Sequence, residues 1–141
     1  MDHIVYLDAK AKELELLLAN QKSMLIRGAA GRKMPYGRVF TGDTLYFINN
    51  NAEGLILARA EVAKVINSEK MTTEDSVALV ERYSTQLNLS QKQYARWAGK
   101  RYLVLIEVHH LKTIDPFSID KSAYGNMDDW LPVENIELVK K

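Results

Sequence analysis

Five cations lie between Leu16 and Gly42 with no acidic residue among them: Lys22, Arg27, Arg32, Lys33 and Arg38. Cations without local carboxylates are free to take an anion from elsewhere. Arginine brings a planar fork for phosphate or a base edge, and lysine a mobile point charge. Gly28-Ala29-Ala30-Gly31 sits in the same stretch, and side chains this small let a ligand approach the backbone closely. The loop lacks the G-x-x-x-x-G-K-[ST] spacing and the following helix of a nucleotide-hydrolysing phosphate loop, so it reads as an anion contact. Tyr36, Tyr46, Tyr94 and Trp97 offer faces on which a base could stack. Tyr36 lies within the basic loop and is the expected stacking residue. Tyr46 and Trp97 read as core, and Trp130 beside Leu131-Pro132 as a plug at the core's end.

Metal and covalent chemistry have less to draw on. Cysteine is absent, which excludes thiolate ligands and disulfides. His109 and His110 are neighbours in a predicted strand, where successive side chains point to opposite faces, so they are not expected to share a metal; His3 is the remaining histidine. No metal site and no cofactor are expected. Spacing alone assigns no Ser-His-Asp arrangement, since such groups meet in space.

The elements that would position these residues follow from periodicity. His3 to Leu7 reads as a strand. Asp8 is expected to cap a helix whose inner face carries Leu14, Leu17 and Leu18. Ser23 to Ile26 is a short strand before the basic loop, and another strand is expected to begin at Arg38. After the Thr41-Gly42-Asp43 turn, Leu45 to Ile48 and Leu55 to Ile66 form an antiparallel hairpin across a polar turn. A helical insert follows, with one helix from about Glu74 to Gln86 capped by Thr72 or Thr73, and a second opening on the capping-box pair Ser90 and Gln93. Tyr102 to Leu111 is the strongest strand, expected near the middle of the sheet. Turns and short helices are expected after Pro116, then a closing strand with Ile136, Leu138 and Val139.

A chain of 141 residues, 47% hydrophobic, suits one domain over residues 1–141. The net charge of +1 conceals segregation. A second acid-free stretch from Arg82 to Ile106 holds Arg82, Lys92, Arg96, Lys100 and Arg101, while Asp115, Asp120, Asp128, Asp129, Glu134 and Glu137 gather in the tail. The start of the chain lacks the pattern of a signal peptide, and no apolar run approaches the roughly 20 residues that span a bilayer, so a cytoplasmic protein without membrane contact is expected.

The frame Asn20-Gln21-Lys22-Ser23-Met24-Leu25-Ile26-Arg27 resembles the G-x-K-x-x-E-x-R signature of ASCH domains, relatives of the PUA and EVE domains. Lys22 and Arg27 match, Asn20 replaces the glycine and Leu25 the glutamate. Gly42-Asp43 before Leu45-Tyr46-Phe47 is similar to the V-x-x-G-D-x-L-x-F element of PUA-like barrels. The resemblance covers most of the chain up to about Leu111. It implies an α+β fold: a small mixed, mostly antiparallel PUA-like β-barrel with a helix before the motif strand and a helical insert. It also implies a cleft for RNA, modified bases or nucleoside-like ligands, with Lys22 and Arg27 at its floor or lip.

One branch of ASCH-like proteins hydrolyses acylated cytidine, its motif lysine activating a threonine at the motif glutamate position. Leucine is neither nucleophile nor base, so Leu25 blocks that mechanism as it stands. Glu61 is the strand carboxylate that could enter the cleft instead. The expected function is an RNA or nucleotide-ligand binding module in which Lys22, Arg27, Arg32, Lys33 and Arg38 contact phosphate, Tyr36 stacks and Glu61 borders the cleft. The alternatives are a hydrolase for an acylated or otherwise modified nucleoside, using Lys22 and Glu61, and a protein-interaction accessory domain that buries its basic loop in a homodimer.

Overall fold

The computed structural model describes residues 1–120, 122 and 129–141. Six strands form one mixed sheet: β1 (Asp2–Leu7), β2 (Met24–Ala29), β3 (Thr44–Asn49), β4 (Leu55–Asn67), β5 (Tyr102–Ser118) and β6 (Trp130–Glu134), in the order β2-β5-β4-β3-β1-β6. Only the β1–β3 pair is parallel. The connection between them carries α1 (Glu13–Leu18) and β2, the length of chain a parallel crossover needs. The sheet curls into a half-barrel rather than a closed barrel, because β2 and β6 remain its two edges.

The concave face holds one core, with Val5, Leu25, Leu45, Phe47, Val62, Val104 and Trp130 in it, closed by Leu14 and Leu17 of α1. The spacing of Leu14 and Leu17 therefore does what an amphipathic face should. The insert, α2 (Thr73–Arg82), α3 (Ser84–Leu87) and α4 (Gln91–Trp97), covers β2 and β5 through Val80, Leu87 and Trp97. Thr72 accepts from the Asp75 N–H, and Ser90 and Gln93 complete a capping box.

Several sequence expectations need correction. Asp8 does not cap α1; its side chain accepts from the Ala11 N–H in a preceding turn, and Lys12, at φ 56°, occupies the cap position. The helix expected to continue to Gln86 breaks at Tyr83. Arg38 lies in a turn, and its N–H donates to Pro35 O, so no strand starts there. β5 continues to Ser118, Pro116 included, where turns were expected. The closing strand is Trp130–Glu134, while Ile136–Leu138 is a 3-10 turn. Of the acidic tail, Asp128 lies outside the described residues. Among the described residues no helix is long and apolar enough to cross a membrane.

Candidate functional site

Arg27 sits where the half-barrel fails to close. From β2, at one edge of the sheet, its Nη2 donates to Tyr6 O of β1 at 2.8 Å, and its Nη1 donates to Ile26 O at 2.8 Å. One side chain thus bridges a seam that no backbone ladder spans. The guanidinium lies near two indoles, with Cζ 6.0 Å from the Trp97 ring and 5.6 Å from the Trp130 ring. Such cation–π contacts strengthen as water is excluded. Its Nε is buried with no hydrogen-bond partner among the described residues. Burial pushes the guanidinium below its ordinary pKa, opposed by the charges of Glu13 and Asp129.

Above Arg27 opens a cavity of about 410 Å³. Gly28, Ala29 and Ala30 form one wall, Trp97 and Trp130 another, and Lys33, Arg96 and Lys100 stand around them. Four cations thus face one described carboxylate, Asp129, which pairs with Arg96 at 3.3 Å. Gly28 is packed tightly on β5: a Cβ there would lie 2.6 Å from Leu103 Cδ2 and 3.0 Å from Tyr102 O, so a side chain would force Leu103 to move. A smaller cavity of about 100 Å³ shares Arg27, Arg96, Trp97 and Asp129 and reaches Glu13 and Gln93 on the other side.

Lys22 lies behind this floor. Its side chain is 1% exposed, with Nζ 3.4 Å from Glu13 Oε2 and donating to Leu87 O. Burial pushes its pKa below the ordinary lysine value, against the pull of Glu13. Glu13 also accepts from the Asp8 N–H at 3.0 Å and from Gln93 Nε2 at 3.5 Å. This buried pair joins the turn before β2 to α1, α3 and α4.

A second buried chain supports Trp130. Its indole Nε1–H donates to His3 Nδ1 at 3.1 Å, and His3 Nε2 lies 2.8 Å from Asp43 Oδ2. Since Nδ1 accepts, the ring hydrogen is on Nε2 and is donated to Asp43, so His3 is neutral. Burial lowers the His3 pKa, with the hydrogen bond to Asp43 acting the other way. The unfolded chain therefore binds a proton at His3 more readily than the folded one does. Stability is expected to fall as pH drops from the ordinary histidine value of about 6.5, with the Trp130 indole N–H resonance shifting in the same window. A melting temperature that rises between about pH 7 and about pH 5 would show that the Asp43 charge outweighs burial.

No protein-family model and no curated protein matches the sequence. Solved structures do match. The ASCH protein of Zymomonas mobilis superposes with a TM-score of 0.64 at 16% identity, over 94% of this chain and 89% of that one. Two single-residue variants of it give 0.69 and 0.68 at 14% identity, each over 97% of this chain and over 91% and 93% of theirs. The chain has the ASCH fold.

Within that fold the expected site residues disperse. Arg27 and Lys33 line the larger cavity, whereas Lys22 is turned inward to Glu13. Arg32 packs over the rings of Tyr36 and Tyr102, with Cζ 5.6 Å from each. Tyr36 stands edge-on to Tyr102 and donates its hydroxyl hydrogen to Ser68 O, so its ring is engaged outside the cavity. Arg38 is exposed in its turn. Glu61, on β4, meets His109 and His110 and is not part of either cavity wall. Hydrogen bonding to His110 holds its carboxyl below the ordinary value.

Sequence reading missed Arg96, Lys100, Asp129 and Trp130 as cavity residues, and assigned Trp97, one of the stacking candidates, to the core. The second acid-free stretch marks Arg96 and Lys100 as unneutralised cations, but nothing local says that they face Arg27. Trp97 and Trp130 are core residues, 7% and 2% exposed, that also line the cavity. The two histidines require a correction as well. Their rings stack on one side of the sheet, 4.0 Å apart and 13° from parallel, because His110 adopts φ 55° and breaks the strand's alternation.

Proposed function

We propose that the cavity above Arg27 binds RNA or a nucleotide-like ligand. The observation that carries this reading is the pairing of a buried arginine, its Nε unpartnered among the described residues and its Cζ within 6.0 Å of two indole rings, with Lys33, Arg96 and Lys100 around the opening. The guanidinium and indole edges suit a base, and the surrounding cations suit phosphate. The ASCH fold supports the reading at the level of fold, since PUA-like domains commonly receive nucleic acid or nucleosides. Arg32 and Arg38, being exposed, would extend the phosphate contacts beyond the cavity.

Fluorescence polarisation with a single-stranded RNA oligomer across a salt series tests it. About three phosphate contacts give a slope of log K against log salt of roughly −2. Changing Lys33, Arg96 and Lys100 together to alanine is expected to flatten that slope and weaken binding at least about 10-fold. Binding indifferent to salt, or unchanged in the triple variant, would remove the phosphate assignment. Acylated nucleosides assayed by chromatography address the hydrolase alternative. No turnover is expected, because Leu25 is buried in the core and Lys22 and Glu61 are committed to different partners. A protein that ignores RNA but dimerises through the basic loop would instead support the interaction-domain reading.

A further inference from the structure

We propose that Glu61, His109 and His110 form a binding site for a late first-row divalent metal ion of the zinc type, on the sheet face and separate from the Arg27 cavity. One ligand atom from each of the three residues lies within 4.8 Å of the others. Glu61 Oε2 contacts His110 Nδ1 and lies 3.8 Å from His109 Nε2. Two imidazoles and one carboxylate are a donor set that zinc and its neighbours accept, leaving further positions to water.

The backbone accounts for the convergence. Between the pairs Arg59↔Lys112 and Glu61↔His109, β4 advances two residues while β5 advances three. The extra residue makes a bulge, and His110 takes the left-handed conformation at φ 55°. A regular strand would send the two rings to opposite faces. The bulge instead stacks them 4.0 Å apart, opposite a carboxylate on the adjacent strand. A non-glycine residue seldom adopts this conformation.

Coordination requires the two rings to turn out of their parallel stack, so that the in-plane lone pairs of His109 Nε2 and His110 Nδ1 both aim at one ion. Metal–ligand bonds of about 2.0–2.1 Å in a tetrahedron put donor atoms about 3.3 Å apart. Glu61 Oε2 lies 3.8 Å from His109 Nε2 and in direct contact with His110 Nδ1, and the side chains, 40% to 69% exposed, have room for that turn. His3, the remaining histidine, is buried against Trp130 and Asp43 and cannot compete for an added ion.

Isothermal titration of tag-free protein with zinc chloride tests the site, with cobalt(II) absorption as a second readout that reports coordination geometry. One equivalent is expected to bind. Losing an outer-sphere partner commonly costs about 10–100-fold in metal affinity, so removing a ligand should cost at least about 100-fold. His110→Asn is the most informative variant, because asparagine tolerates the left-handed backbone and the bulge should persist. His109→Ala and Glu61→Gln should act in the same direction, and all three variants should melt like the parent without metal. No zinc binding by the parent protein, or binding that survives His110→Asn and His109→Ala unchanged, overturns the assignment. RNA binding at the Arg27 cavity is expected to be the same in these variants, so the two proposals fail separately.

Discussion

Replacing Arg27 by methionine is expected to lower stability by about 3 kcal/mol and to abolish RNA binding at the same time. The stability loss follows from the seam. Methionine fills much of the volume but leaves Tyr6 O and Ile26 O without their charged donor, and hydrogen bonds to charged groups contribute about 1.5–3 kcal/mol each. The guanidinium's contacts with both indoles disappear as well. Binding would fail because the same group is the cavity's floor. Arg27→Lys separates the two roles: it keeps the charge, but a single ammonium cannot hold both carbonyls in the fork geometry. Urea denaturation and polarisation titration on the same samples measure both effects. A methionine variant of parental stability would mean that the seam is held by something other than Arg27. A destabilised variant that still binds RNA at parental affinity would put the ligand elsewhere.

The second large effect is expected at Lys22, and it should be structural. Lys22→Met removes the ammonium from Glu13 and Leu87 O, stranding a carboxylate that is 4% exposed. Removing one partner of a buried ion pair costs about 3–5 kcal/mol, because the other charge is left in a poorly solvated site. The double variant Lys22→Met with Glu13→Gln should recover much of the loss, since a neutral amide can still accept from Asp8 N–H. A double-mutant cycle by urea denaturation would expose the coupling. A single-variant loss below about 1 kcal/mol would show that water reaches the pair. RNA affinity in the single variant, measured where it remains folded, is expected to change little, which separates Lys22 from the residues around the cavity.

Lys22 also shows where reading the sequence by charge reached its limit. It belongs to the same acid-free run as Arg27 and Lys33, and a one-dimensional view counts all five cations as available. Its carboxylate partner lies nine positions upstream in α1, outside that run, and the fold turns it onto the lysine. Arg32 and Tyr36 illustrate the same point with aromatics. The basic loop placed a tyrosine among cations, but Tyr102 of β5 and the carbonyl of Ser68 engage that tyrosine first.

The sequence by itself determined the β3–β4 hairpin, the Ser90–Gln93 capping box, a helix start at Thr72 or Thr73 and the small-residue, basic character of the segment around the end of β2. These rest on interactions among residues a few positions apart, which the period of a helix or strand and the chemistry of a cap or turn encode directly. Only the tertiary structure decided that the half-barrel stays open between β2 and β6, that Arg27 spans the gap, and that Arg96, Trp97, Lys100 and Trp130 gather around it. These groups are separated by up to about a hundred positions, and strand order, not local preference, brings them together. The stacked histidines needed the structure for a narrower reason. Alternation along a strand holds only while the ladder is regular, and a single extra residue in β5, set by its pairing with β4, moves His110 to the side where His109 and Glu61 already stand.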